Sequence, residues 1–222
     1  MASATRSTTP RKAAPVRSKR RNPVLPIVFG LIVALGIVAV VASRGSDDSG
    51  VPAGVEQTRT VDVTGTDLPK LTSTSADAAV GTPSPVVQGA TFTGEPVEIG
   101  TPGTPQLVMF VAHWCPHCQR EVPVVTRWLD EAGPPAGVEL RAVATATSAD
   151  RPNYPPSKWL DQEGWPVTTL ADDGDGTVAR AFGLSGFPFF VVLDGQGTVV
   201  ARNSGELTID EIEAMLATAR GV

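Results

Sequence analysis

Apolar positions change their spacing along the chain, and each change marks an element. A near-unbroken apolar run covers 24–42. With its flanks it is about 20 residues, or roughly 30 Å as a helix, which matches the bilayer hydrocarbon. A transmembrane helix is therefore expected at 23–43, where Pro26, Gly30 and Gly36 are tolerable. From 44 to 85 the chain is Ser, Thr, Gly, Pro and Asp with scattered valines, the composition of a linker. Within it, 58–64 alternates like a strand that could dock onto the domain that follows.

Residues 86–222 are enough for one domain with its own core. A hairpin is expected from 90–93, a turn at 94–96, and 97–99. The apolar run 106–112 reads as a strand, and 116–132, with Val122, Val125, Trp128 and Leu129 at helical spacing, as a helix. A buried strand at 138–145, a short helix at 155–163, a short strand at 167–170 and a helix at 177–182 follow. Then come a strand at 189–193, a turn at 194–197 and its hairpin partner at 198–203. The amphipathic pattern of 209–219 predicts a final helix, capped by Thr208 and carrying Asp210 and Glu211 in its first turn. Helices alternating with strands before a closing hairpin imply an α/β domain with a central mixed sheet covered on both faces.

Charge orients this arrangement. Residues 1–22 hold seven basic side chains and no acid, so the formal net charge of −5 divides into +7 before the apolar run and −12 after it. Basic residues ahead of a single apolar segment keep that side in the cytoplasm. The expected order is a cytoplasmic tail (1–22), the membrane helix, an extracytoplasmic linker (44–85) and an extracytoplasmic domain (86–222) at the cell membrane. An acidic outer domain argues against nucleic acid or anionic lipid as its partner, and the lipid bilayer is met through 23–43. A cleaved signal peptide is the rival, with small residues at 40–42, but the run exceeds the usual apolar core of about 7–15 residues. No cysteine near its end allows a lipoprotein anchor.

The chemistry is concentrated at Trp114-Cys115-Pro116-His117-Cys118. Both cysteines of the chain are here, and His113 and His117 are its two histidines. The motif lies where a strand hands over to a helix N-terminus, whose free N–H groups and dipole favour a thiolate on Cys115. A static disulfide closing so small a loop would contribute only about 2 kcal/mol. A metal site would crowd four ligands into six residues, so no metal or other cofactor is expected. Covalent haem attachment needs a histidine at position 119, which is Gln. A thiolate that attacks a disulfide, with a second thiol two residues on to resolve the mixed disulfide, suits the spacing. Cys115, exposed at the helix start, is the expected attacker and Cys118 the resolver. His113 is expected to be a solvated loop residue without a task.

With Pro123 five residues after Cys118, and Gly186-Phe187-Pro188 ahead of a strand, the domain resembles the thioredoxin-fold proteins of the membrane-anchored TlpA/ResA kind. The resemblance covers 86–222 and implies a thioredoxin fold preceded by one transmembrane helix. It implies that Pro188 is cis and lies against the cysteines, and that Glu121, in Cys-X-X-Cys-X-X-Glu-X-Pro, lies near them. Thioredoxin's buried proton acceptor, an Asp, has Met109 in its place here, so Glu121 becomes the acid/base candidate. A solvated helix acid is its alternative. Trp114, Pro116, Phe187 and Pro188 are expected to meet the substrate. The dipeptide Pro116-His117 resembles the strongly oxidising DsbA, where a protonated His117 would add to the thiolate's stability. An exposed His117 without redox effect is the alternative.

The expected function is a membrane-tethered thiol–disulfide oxidoreductase. It exchanges disulfides with secreted or membrane proteins, draws on a redox partner in the membrane, and runs in the oxidising direction. One alternative is a reductase with a dedicated client, as in cytochrome c maturation. Another is a non-enzymatic thioredoxin-fold module that binds a protein or carries copper.

Overall fold

The computed structural model describes residues 52–219. The expected tail and membrane helix fall outside them, and no helix among the described residues is long and apolar enough to cross a membrane.

The described residues form eight strands and four helices. In chain order they are β1 (Asp62–Thr64), β2 (Val86–Ala90), β3 (Pro96–Ile99), β4 (Gln106–Val111), α1 (Pro116–Ala132), β5 (Glu139–Ala144), α2 (Pro156–Gln162), β6 (Thr169–Ala171), α3 (Thr177–Ala181), β7 (Phe189–Leu193), β8 (Val199–Ser204) and α4 (Ile209–Ala219). A five-stranded mixed sheet has the order β6-β5-β4-β7-β8, and an antiparallel β1-β2-β3 sheet stands beside it. Strands β4, β5 and β6 run parallel, and β7 opposes β4.

Strand β4 reads as a continuous apolar run because it is central and buried along its whole length. The pleat still divides it. Leu107, Met109 and Val111 join a core with Val122, Val125 and Trp128 of α1 and Ile212 and Leu216 of α4. Val108 and Phe110 enter a second core with Phe182, Phe189, and Val87 and Ile99 of the hairpin. Phe110 and Phe189 are fully buried, each contributing about 1.5–3 kcal/mol by leaving water. Helix α1 buries Cys118, Glu121, Val122, Val125 and Leu129, the stripe that a 3.6-residue period requires. It stops at Gly133, whose φ of 75° disfavours any other residue and whose N–H closes onto Leu129 O. Before α4, Thr208 Oγ1 accepts from Glu211 N–H while the Glu211 carboxylate accepts from Thr208 N–H, a reciprocal cap.

Two expectations need correction. The hairpin pairs Val87 with Ile99 and Gly89 with Val97, so its first strand lies at 86–90 and Phe92 is a buried turn residue. Register follows the positions that bury Val87, Val97 and Ile99, and the strand-like residues 91–93 close the turn. The second correction concerns the linker: its described part, 52–85, is bound to the domain. Asp62–Thr64 pairs with β2, the docking that the alternation of 58–64 suggested, while Leu68, Leu71 and Ala79 are buried beyond it. Leu68 N–H donates to Ala181 O and Leu71 N–H to Gly183 O. Asp77 takes a two-pronged ion pair from Arg202 of β8, which also donates to Pro69 O and Phe182 O. Beyond that strand, a stretch without periodicity is held by a few widely spaced anchors.

Candidate active site

Cys115 is the N-cap residue of α1, with extended backbone (φ −78°, ψ 120°) and Pro116 in the first helical position. Proline suits that place, because the first N–H of a helix has no partner in any case. The remaining N–H groups of the first turn lie over the cap, where negative charge is favoured. The expected exposure of Cys115 is corrected: only 6% of the residue is accessible, while Cys118, inside the first turn, is wholly buried. Both cysteines are free thiols, within hydrogen-bonding reach of each other. Cys118 Sγ accepts from Ala112 N–H at 3.5 Å. Burial pushes the Cys118 thiol far up, and the nearby Cys115 and the Glu121 carboxylate push the same way. Of the two cysteines only Cys115 keeps any accessible surface, and Cys118 keeps its proton.

Glu121 is 2% exposed. Its carboxylate accepts from Leu207 N–H, 3.3 Å from each oxygen, across the gap between α1 and the loop before α4. Desolvation outweighs that bond and raises its pKa to about 7, with Glu206 and Glu211 adding to the rise. A carboxyl poised there can take or give a proton near neutral pH, and it stands one helical turn beyond Cys118.

The Phe187–Pro188 bond is cis, and Pro188 is buried. Pro188 O accepts from Gly205 N–H at 2.8 Å. Phe187 meets the Trp114 ring edge to face, with centroids 5.9 Å apart. Trp114 donates its Nε1–H to Ala146 O, and Arg151 lies 5.0 Å from the centre of its ring. The expected substrate-contacting residues Trp114, Phe187 and Pro188 thus share one neighbourhood, and Pro116 lies beside Cys115 on the chain.

His113 and His117 depart from expectation in opposite senses. His113 is buried, with Nδ1 2.7 Å from Pro152 O and Nε2 accepting from Ser148 N–H. Its carbonyl accepts from Asn153 Nδ2 and Gln119 Nε2. These partners fix the neutral tautomer, and burial lowers its pKa. Both ring nitrogens are occupied, so His113 is a fastener for the 146–154 loop and is not available as a metal ligand. His117 is exposed but not free: its Nδ1 lies against the Glu206 carboxylate, which also receives the Arg120 guanidinium. Sequence reasoning missed Glu206 and Arg151, which reach the site from remote loops. Arg120, one turn after His117 on the same helix face, was within its reach.

Comparison with known proteins places this geometry. The methylamine utilization protein MauD of Methylophilus methylotrophus is 28% identical over 146 residues, 64% of this chain and 63% of that protein, which is under two thirds of its length. A thiol:disulfide interchange protein DsbE homolog of Paracoccus denitrificans is 31% identical over 138 residues, 60% of this chain and 71% of that protein. DsbE of Escherichia coli K12 is 26% identical over 189 residues, 85% and 88% of the two chains. Among solved structures, StoA from Bacillus subtilis superposes with a TM-score of 0.52 at 22% identity, over 62% of this chain and 98% of that one. A thioredoxin-family thiol:disulfide interchange protein from Chlorobium tepidum gives 0.50 at 24%, over 65% and 99%. These structures establish the thioredoxin-like fold. The names of the sequence relatives, together with that fold, support thiol–disulfide oxidoreductase activity. The Redoxin family model matches residues 70–216, about two thirds of the chain, and the chain belongs to that family.

Proposed function

We propose that this protein is a thiol–disulfide oxidoreductase held outside a membrane, exchanging disulfides with secreted or membrane proteins through Cys115 and Cys118. The observation that carries the reading is the asymmetric pair: a cysteine at a helix N-cap that keeps a little accessible surface, with a wholly buried, proton-retaining thiol beside it and the Glu121 carboxyl one turn on. In the oxidising direction a client thiolate attacks Cys115 Sγ of the Cys115–Cys118 disulfide. Cys118 leaves with the electron pair and takes a proton from Glu121. A second client thiolate then attacks the client sulfur, and Cys115 departs as a thiolate. In the reducing direction Cys115 attacks the client disulfide, Glu121 takes the Cys118 proton, and Cys118 displaces the reduced client. Trp114, Phe187 and Pro188 supply the surface on which the client lies. The basic residues before 23–43 support a cytoplasmic N-terminus and a tether in the bilayer, with a membrane redox partner renewing the site.

The dipeptide Pro116-His117 supports the oxidising direction, because stabilising the thiolate stabilises the reduced form. The Glu206 carboxylate against His117 favours a second reading, a reductase, of which client reduction in cytochrome c maturation is one form; similarity to thiol:disulfide interchange proteins is compatible with either direction. Cysteine variants test the exchange itself. Cys118→Ser should accumulate mixed disulfides with clients, and Cys115→Ser should neither trap nor exchange. Trapping by Cys115→Ser alone would reverse the two roles, and exchange surviving both substitutions would end the proposal.

A further inference from the structure

Among the described residues, the only carboxylate side chain bonded to His117 and Arg120 comes from the other end of the domain. Glu206 lies in the loop between β8 and α4, 89 and 86 residues from the two cations. Its backbone is clamped on both sides to the site: Gly205 N–H donates to Pro188 O, and Leu207 N–H donates to Glu121. From there the side chain crosses to the first turns of α1. Its Oε1 lies 2.5 Å from His117 Nδ1, and both oxygens lie within 3.2 Å of Arg120 Nε.

The same His117 nitrogen is 2.9 Å from Arg120. One nitrogen cannot donate to a carboxylate and accept from a guanidinium at once. Glu206 decides the matter, because a carboxylate only accepts. Facing it, Nδ1 carries the proton, and the guanidinium is satisfied by the carboxylate. The carboxylate also offsets one positive charge. With Glu206 the cluster carries zero or +1, depending on His117; without it the cluster carries +1 or +2. Arg120 is close enough to Cys115 for their charges to interact.

We infer that Glu206 is a positioning residue for the disulfide exchange: it holds His117 and Arg120 in place beside Cys115 and moderates the oxidising power their charges would otherwise confer. The inference rests on the exchange reading. A cation near Cys115 stabilises the thiolate of the reduced form and does nothing for the neutral disulfide, so an added carboxylate pulls the equilibrium back towards the disulfide. Pro116-His117 at the helix start is therefore an incomplete guide to the potential of this protein.

The test is a redox equilibrium of the full chain with glutathione at pH 7, in which the protein dithiol and oxidised glutathione give the protein disulfide and two glutathione thiols. Glu206→Gln keeps the shape of the side chain and removes its charge. It should shift the equilibrium constant several-fold, up to about tenfold, towards the dithiol, making the protein a stronger oxidant. Glu206→Asp, which keeps the charge on a shorter arm, should return most of the shift. An unchanged constant for Glu206→Gln, a shift towards the disulfide, or equal shifts in the Gln and Asp variants would overturn the inference. A parent protein that does not equilibrate with glutathione at all would instead overturn the exchange reading beneath it.

Discussion

Two arginine–carboxylate pairs tie β8 and the turn after it to the rest of the domain, and they share little beyond their chemistry. Arg202 and Asp77 expose 0% and 2% of their side chains; Arg120 and Glu206 expose 56% and 36%. The sealed pair meets with two-pronged geometry, and Arg202 spends a remaining donor on Pro69 O and Phe182 O, so little of its charge is left unpaired. The open pair shares its carboxylate with a histidine and stays in contact with water. Burial makes the first a structural fastening that cannot be half broken. Exposure makes the second nearly irrelevant to folding and free to adjust the charge beside a reactive sulfur.

The largest effect should come from breaking the sealed pair. Asp77→Ala leaves Arg202 buried without its counter-charge and should cost about 3–5 kcal/mol, lowering the thermal unfolding midpoint by about 10 °C. Replacing both partners, Asp77→Ala with Arg202→Met, should recover much of that loss, and failure to recover would mean that the pair contributes net attraction. Its pH signature has a definite sign. The Arg202 hydrogen bond holds Asp77 below its ordinary 3.8, so the contribution is complete above that value and disappears as pH falls through the lower native one. Acid unfolding of the parent should therefore contain a component that Asp77→Ala lacks.

Glu121 stands between the two pairs, buried like the first and placed beside the chemistry like the second. Its native pKa of about 7 lies above the ordinary 4.5, so the folded state binds the proton more tightly. Stability tied to it is whole below pH 4.5 and is lost as pH rises through about 7. Glu121→Gln should gain about 1–3 kcal/mol over the parent at pH 8 and nothing comparable at pH 4.5. Its exchange rate should lose the inflection near neutrality. An intact inflection would leave Glu121 as a buried structural acid and no proton carrier.

The smallest effect belongs to the open pair. Arg120→Gln should barely move the unfolding midpoint, and what change there is should shrink in high salt. A midpoint shift comparable with that of Asp77→Ala would erase the distinction between the two pairs.

Sequence alone determined the parts whose cause is local. The helix at 116–132 and the strand at 189–193 appear with the bounds expected from their spacing, as does the helix at 209–219 with Thr208 as its cap. The cysteines fall at the strand-to-helix junction because a six-residue buried strand and a proline at the first helical position are written side by side. Tertiary structure decided whatever depends on residues far apart in the chain. That Asp77 meets Arg202, 125 residues on, turned an apparent linker into part of the domain, and no local pattern marks such an anchor. His113 looked like a loop residue until the 146–154 segment folded over it and took both ring nitrogens. Glu206 is one acid among 23 in the sequence; it reaches His117 and Arg120 because Gly205 and Leu207 are bonded to Pro188 and Glu121. Periodicity reports which face of an element is buried, but which distant charge covers a helix N-terminus is settled only when the backbone has closed around it.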